Sequence, residues 1–414
     1  MNIITEHRLN IKNRFALIFI LTIIATQGMK NQFFYFNWFL GGLLIFSYVI
    51  KVLMLNRIDK GIVKAWFIST VWLIIPLVTS FSDHIIDKNI HFTRILVYLF
   101  YITLSVIIIS YFFKSDRNKL NIIFYNLNII WIVLNLITFV LFSQIYFDNN
   151  VFSGIVDNRN IFAIITTVFS SYLMFFKNTF LKQKKVKVLI FLSFLLVVST
   201  LSIKGFVGWI IVFLMANFKS GWNKIRAKRN YQIKAFLLTF AILIGVLITD
   251  NPLKDRLVRF TMVFKASDEL RQSESAYVRY YLAKESWSVF KQYPFAGIGV
   301  NNTRYYLIPP HYRMMGLDVG TYSHNNYLEI LLSGGLISFL LYYIPFFYAI
   351  FSLRRKRKIS IEANYFYALG VYKLFIDFGS VSYDGLIMNI VHISIFYGYF
   401  YLALKKFEQT NLFI

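Results

Sequence analysis

The most chemically suggestive stretch of this 414-residue chain is Tyr322-Ser323-His324-Asn325-Asn326-Tyr327-Leu328-Glu329. Histidine is the side chain whose ordinary pKa lies nearest neutrality, so His324 is a candidate general base for a hydroxyl nucleophile. A histidine at the end of an apolar run is also a common interfacial residue, and position alone does not decide between the two. Glu329 follows five residues later, about 140° around a helix, and so would not share the His324 face. On its own it reads as a hydrogen-bonded interhelical carboxylate. Upstream, Tyr293-Pro294-Phe295-Ala296-Gly297-Ile298-Gly299-Val300-Asn301-Asn302 has the composition of a tight turn. Its Gly-x-Gly follows no strand and opens no βαβ unit, so it is not a dinucleotide fingerprint. It is either a plain turn or a place where backbone approaches a ligand.

Several cations could surround an anionic group near this stretch: Arg94, Arg159, Lys204, Arg271, Arg279, Arg304 and Arg313. Any one of them fits a side chain snorkelling from the end of an apolar segment. Together they could line a phosphate site, for which the guanidinium fork is well shaped. Lys373 and Asp377, four apart, read as an intrahelical ion pair, and His392 as a satisfied residue inside a helical bundle. The chain has no cysteine, which removes disulfides, thiolate metal sites and Cys nucleophiles. It also has no Asp-x-Asp and no His-x-x-x-His. Chemistry here is expected to need no metal and no cofactor.

The elements that must hold these residues are membrane spans. Hydrophobic residues make up 57% of the chain and charged residues only 15%, where a soluble chain carries about a quarter. A water-soluble enzyme is therefore excluded. A span needs roughly 20 apolar residues, and twelve candidates lie near 14–29, 33–50, 62–80, 92–113, 120–142, 159–176, 187–203, 204–218, 233–249, 323–350, 362–378 and 385–404. With a cytoplasmic N-terminus, the inner segments hold 28 Lys and Arg and the short outer loops only 4, the asymmetry of a positive-inside topology. The net charge of +25 is then mostly a topology signal, and nucleic acid is not an expected partner. Arg8, Lys12 and Arg14 precede the first apolar run, but no small-x-small cleavage site follows before Lys30, so an uncleaved first span is expected.

The chain therefore divides into a nine-span bundle over 1–249, a long outer loop over 250–322, and a three-span bundle over 323–414. A loop of 73 residues is uncommon unless it is functional. Residues 273–292, with Tyr277, Tyr281, Trp287 and Phe290 at helical spacings, predict a helix against the bilayer surface or the bundle. The first outer loop, 28–33, has no acid, which disfavours metal-dependent sugar transfer that relies on acids there.

The residues from Arg279 to Leu336 resemble the shared C-terminal region of the bacterial O-antigen ligase and O-antigen or capsule polymerase superfamily. The likeness rests on Arg279, Trp287, Pro294, Gly297, Gly299, Asn301, His324, Asn325, Leu328, Glu329, Gly335 and Leu336. Asp157-Asn158-Arg159-Asn160 and Ser199-Thr200-Leu201-Ser202-Ile203-Lys204-Gly205 resemble two earlier pieces, with Lys204 where arginine is usual. Arg94 is placed like the family's span-start arginine.

The resemblance implies an all-α, polytopic membrane protein of about twelve transmembrane helices, with an architecture like the C-type glycosyltransferases, in the bacterial inner membrane. Both termini would be cytoplasmic and the site would face outward. The implied reaction passes an oligosaccharide from undecaprenyl diphosphate to an acceptor sugar hydroxyl, without metal. His324 and Arg279 would be catalytic. Arg94, Arg159, Lys204, Arg304 and Arg313 would hold the diphosphate, with Asn325, Glu329, Gly297, Gly299 and Asn301 in support. Implied partners are the undecaprenyl-diphosphate-linked glycan, membrane lipid, and a chain-length regulator and flippase of the same route. A polymerase of repeat units is the first reading and a ligase handing finished glycan to a lipid, wall polymer or protein the second. A transporter is a remote third, because the spans carry few acids and the two halves look unalike.

Overall fold

The computed structural model describes residues 34–55, 60–113, 117–141, 158–180, 182–217, 275–309, 312–313, 315–358, 360–383 and 385–410. Among these residues there are helices, short 3-10 turns and loops, and no strand. The spans expected near 14–29 and 233–249, and Arg271, lie outside the described residues. The helices are α1 Phe34–Leu55, α2 Lys60–Thr70, α3 Ile74–Val78, α4 Lys88–Phe113, α5 Arg117–Leu141, α6 Arg159–Phe176, α7 Gln183–Ser199, α8 Ile203–Asn217, α9 Ser275–Gln292, α10 Thr303–Tyr306, α11 Asn326–Lys356, α12 Ile361–Gly379 and α13 Leu386–Thr410. Five stretches among the described residues are long and apolar enough to cross a bilayer: Lys60–Val78, Lys88–Ser110, Asn118–Thr138, Arg159–Thr179 and Asn326–Lys356. Shorter apolar helices cover Trp38–Val49, Ile203–Asn217 and Leu386–Leu402. The chain is a multi-pass membrane protein, helical throughout its described spans.

The described helices fall into two compact units. The first contains α1, α4 from Leu104, α5 to α8, and residues 353–372. Its centre is α6, whose residues from Phe162 to Phe176 are all buried. Asn158 starts this helix, its side-chain oxygen accepting from the backbone N–H of Asn160 and Ile161 at 3.0 and 3.2 Å. Trp131 on α5 donates to Thr166 at 2.9 Å and stacks on Phe162. Close approach of α8 depends on its glycines. A Cβ at Gly205 would meet that of Ala163 at 2.3 Å, and one at Gly208 would enter the Tyr372 ring.

The second unit contains α2, α3, α4 up to Thr103, α9 to α11 up to Ser352, and residues from Lys373 onward. Here α2 and α3 are joined by a 3-10 turn at Val71–Leu73, and Trp72 is fully buried against Tyr98, Tyr342 and Tyr383. Helix α11 is broken inside: Gly334 and Gly335 leave helical geometry, Gly335 at φ +70°, ψ −169°.

A polar cluster lies in the apolar interior of this unit. Lys373 donates to both Asp377 oxygens at 2.9 Å and to Ser382 at 2.8 Å, as the four-residue spacing implies. Ser382 and Tyr343 also donate to Asp377, and Asn326 donates to Tyr343 at 2.9 Å. Asn326 in turn accepts the backbone N–H groups of Ser382 and Tyr383. The cluster fastens the first residue of α11 to the turn after α12. His392 differs from the expected satisfied bundle residue. It stacks between Tyr342 and Phe346 at 4.8 and 5.0 Å, and its Nδ1 has no hydrogen-bond partner.

Removing one member of a buried pair strands the other charge. Lys373→Met is therefore expected to lower stability by about 3–5 kcal/mol, with Lys373→Met/Asp377→Leu recovering much of that loss. Thermal unfolding in detergent checks this, and a single variant as stable as the double would contradict it.

Candidate functional site

The segment expected to carry the chemistry is organised by a turn docked into a broken helix. Pro294 to Gly299 runs beside the Gly334–Gly335 break. Ile298 N–H donates to Leu332 O at 2.7 Å, Gly299 N–H to Ser333 O at 3.1 Å, and Leu336 N–H to Pro294 O at 2.8 Å. These bonds take up backbone groups that the interrupted helix leaves open. Gly297, at φ +68°, has no room for a Cβ, which would lie 2.4 Å from Leu332 O and 2.6 Å from Gly334 N. So the Gly-x-Gly brings backbone close to backbone of α11.

The same turn is fixed from α4. His91 is fully buried, and its Nδ1 accepts the Val300 N–H at 2.8 Å. The Nε2 proton then points to Pro76 O and Ser80 Oγ, each at 3.1 Å. A Cβ at Gly299, which has φ +88°, would lie 3.0 Å from His91 Nδ1. Asn301 holds a left-handed conformation at φ +59°. Asn302, next to it, is buried. It accepts from Asp87 N at 2.8 Å and donates to Asp87 O at 3.2 Å. The Asp87 carboxylate caps α4 at Ile90 and accepts from Tyr305 OH at 2.9 Å. The Ile90 backbone bond, followed by the Tyr305 bond, lowers the Asp87 pKa; the same contact with Asp87 raises that of Tyr305. Tyr306 donates to His84 O at 2.6 Å, and burial raises its phenol to about 12. None of His91, Asp87 and Asn302 stands out in the sequence. Their partners lie more than 200 residues away, and no local spacing marks them.

His324 stands just outside α11, which begins at Asn326, three residues later than the expected 323. Its backbone is left-handed at φ +56°, uncommon outside glycine. The angular argument that separated it from Glu329 on one helix therefore does not apply. Asn325 caps the helix, its Oδ1 accepting from Tyr327 N at 2.9 Å and Leu328 N at 3.2 Å. Ser323 Oγ donates to Asn325 O at 2.8 Å. Glu329 is buried, and its carboxylate accepts Thr303 Oγ1 at 2.8 Å and Ser323 N–H at 2.9 Å. It thus holds the residue before His324 against the start of α10.

The Tyr322 ring lies 4.2 Å from that of His324. Arg279, on α9, reaches solvent. Surrounding protein lowers its pKa, and an interaction with Tyr322 works against that shift; a guanidinium stays charged under both. Tyr322 therefore brings Arg279 and His324 into one neighbourhood. Arg313 is exposed and lies near enough to Tyr281 to act on its phenol. Arg304 lies by Asp87 and Tyr305, its Nε buried without a hydrogen-bond partner. Arg94 is partly buried on α4, almost one turn beyond His91.

Arg159 and Lys204 belong to the other unit, where the structure brings their neighbours together. Ser202 Oγ donates to Asn160 Oδ1 at 2.7 Å and accepts the Gly205 N–H at 3.1 Å. That joins the first turns of α6 and α8, on which the two cations sit. Among the described residues no group of three or more His, Cys, Asp or Glu gathers as metal ligands.

Residues 186–343 match the family model described as O-antigen ligase. The matched segment includes Lys204, Arg279, the Gly-x-Gly turn, Arg304, Arg313, His324 and α11 as far as Tyr343. It supports membership of the O-antigen ligase and polymerase superfamily, and leaves Arg94 and Arg159 outside the match. No curated protein matches the chain.

Proposed function

From a segment that carries the O-antigen ligase pattern, we propose that this chain is a membrane glycosyltransferase that polymerises undecaprenyl-diphosphate-linked oligosaccharide repeats. The products would be capsule, exopolysaccharide or O-antigen. His324 takes the proton of an acceptor sugar hydroxyl, whose oxygen then attacks the anomeric carbon of the lipid-linked glycan. The bond from that carbon to the phosphate oxygen breaks, and undecaprenyl diphosphate leaves with the electron pair. Diphosphate is a good leaving group and needs no general acid, in contrast to the carboxylate pair of glycosidases. Its charge is met by Arg279, aided by Arg94, Arg304 and Arg313.

The single observation that carries this reading is the Tyr322 ring against His324, with the same tyrosine close enough to Arg279 to act on its guanidinium. A base and a diphosphate-binding cation then share one neighbourhood on the outer segment. The reading includes twelve spans, an architecture like the C-type glycosyltransferases, cytoplasmic termini, and an inner-membrane location with the site outward. A chain-length regulator and a flippase complete the route.

A ligase is the second reading, favoured by the matching family's being that of O-antigen ligases. Lipid-linked glycans extracted from cells lacking the protein separate the two. Single repeats accumulate if a polymerase is lost; long unattached chains accumulate if a ligase is lost. Arg279→Ala, restored to such cells, is expected to cut product at least about a hundredfold, in line with removal of a principal transition-state contact. Arg279→Lys is expected to recover only part, since an ammonium lacks the paired donors. Full product from Arg279→Ala would reject its role.

A further inference from the structure

Helix α9 has two unlike faces. Leu282, Ser286 and Val289 are buried, and Leu282 and Val289 pack with Ile298, Leu307 and Leu332. Opposite them, Tyr280, Lys284, Trp287 and Lys291 are all exposed. Their spacing of four, three and four places them on one stripe, about 16 Å long, that alternates aromatic and cation. No acid lies on that stripe, and Phe295, 65% exposed, follows its end. Such a surface fits a partner that is anionic on one side and apolar on the other.

The height of the helix identifies which partner. Its C-terminal end is tied by Pro294, Ile298 and Gly299 to residues 332–336 of α11. The inner end of that span carries the basic run Arg354-Arg355-Lys356-Arg357-Lys358. Counting back from Arg354 by the roughly 20 residues that cross the hydrocarbon leads to Gly334. The break is therefore level with the outer boundary of the apolar layer. Helix α3 agrees: Pro76, two residues from the end of the span Lys60–Val78, lies against Gly334, and Ser338 Oγ donates to Trp72 O at 2.9 Å. So the C-terminal end of α9 lies at the headgroup level.

We propose that the Tyr280–Lys284–Trp287–Lys291 stripe lies on the anionic phospholipid headgroups of the outer leaflet, with Trp287 and Tyr280 at the acyl boundary and the lysines at the phosphates. This goes beyond the transferase reading and rests on only one part of it, the outward orientation that the basic run at the other end of α11 implies. It gives α9 a second anchor, which holds Arg279 on the flank of the same helix at the height of lipid phosphates.

The chain has no cysteine, so a single introduced one gives a unique spin label. Full-length protein carrying Trp287→Cys or Lys284→Cys is placed in nanodiscs, with Asp318→Cys in the exposed loop as reference. Collision rates with oxygen, which enriches in acyl chains, and with a water-soluble nickel chelate are then compared. The oxygen-to-nickel ratio at 287 is expected to exceed that at 318 severalfold in phosphatidylglycerol discs, with 284 between them. Lys284→Glu/Lys291→Glu added to Trp287→Cys is expected to lower the ratio more in phosphatidylglycerol than in phosphatidylcholine, since each lysine favours an anionic surface by about fivefold. Water-like ratios at 284 and 287 in both lipids would overturn the proposal. So would protection of 287 that arises only when acidic polysaccharide is added, which would make the stripe a glycan platform. Monodisperse elution of each variant distinguishes a changed surface from a lost fold.

Discussion

Cells whose only copy carries His324→Ala are expected to make no detectable polymer, with the protein still in the membrane at normal amount. Loss of a general base costs about a hundredfold to ten-thousandfold in rate, and a polymer needs that step at every addition. The substitution has a structural side effect that a control must absorb. His324 sits at φ +56°, where alanine is disfavoured by about 1–2 kcal/mol and asparagine is tolerated. His324→Asn keeps the backbone preference and removes the imidazole base. Equal loss of polymer from both variants assigns the effect to the ring. Full-length polymer from His324→Asn would end the assignment of His324 as base.

The second large effect is expected on the fold itself. Gly335 occupies φ +70°, ψ −169°, a region that is essentially glycine-only. A Cβ there would stand 2.2 Å from Phe295 O and 2.3 Å from Phe295 C, both backbone atoms with little freedom to yield. Gly335→Ala therefore combines backbone strain with a clash that pushes the 294–299 turn off α11. The expected cost is more than about 3 kcal/mol, seen as aggregation or a lowered melting temperature in detergent. Gly316→Ala is the matched comparison: its φ is also positive, at +68°, but nothing lies within 4 Å of the added carbon. It should lose only about 1–2 kcal/mol. Equal stability of the two variants would show that the docked turn contributes little.

Much of the helical framework was legible because apolar runs and basic loops are local signals. The helix expected over 273–292, the 362–378 and 385–404 helices and the Lys373–Asp377 pair all follow from spacing within a short window. What could not be read locally were the partners of single residues. Gly297 and Gly299 were consistent with a ligand approach, but the atoms they approach belong to α11 and to His91. The pairing of Asn302 with Asp87 joins loops 215 positions apart. The start of α11 was misplaced for a different reason. An apolar-run criterion does not see that Asn325 is a better cap than His324, so the histidine was placed on the helix rather than before it. His392 was expected to be a satisfied bundle residue; it stacks on Tyr342 and Phe346, and its Nδ1 has no hydrogen-bond partner.

The Glu329 carboxylate grips Thr303 and Ser323 together, and so ties off both ends of the intervening segment like the neck of a purse. The exposed residues 315–319 between them can change length without shifting the histidine beyond the knot, because doubling a closed loop adds only about 0.6 kcal/mol of closure entropy. Variation is confined to that exposed stretch, because Tyr305, Tyr306 and Tyr322 on either side of it hold contacts of their own.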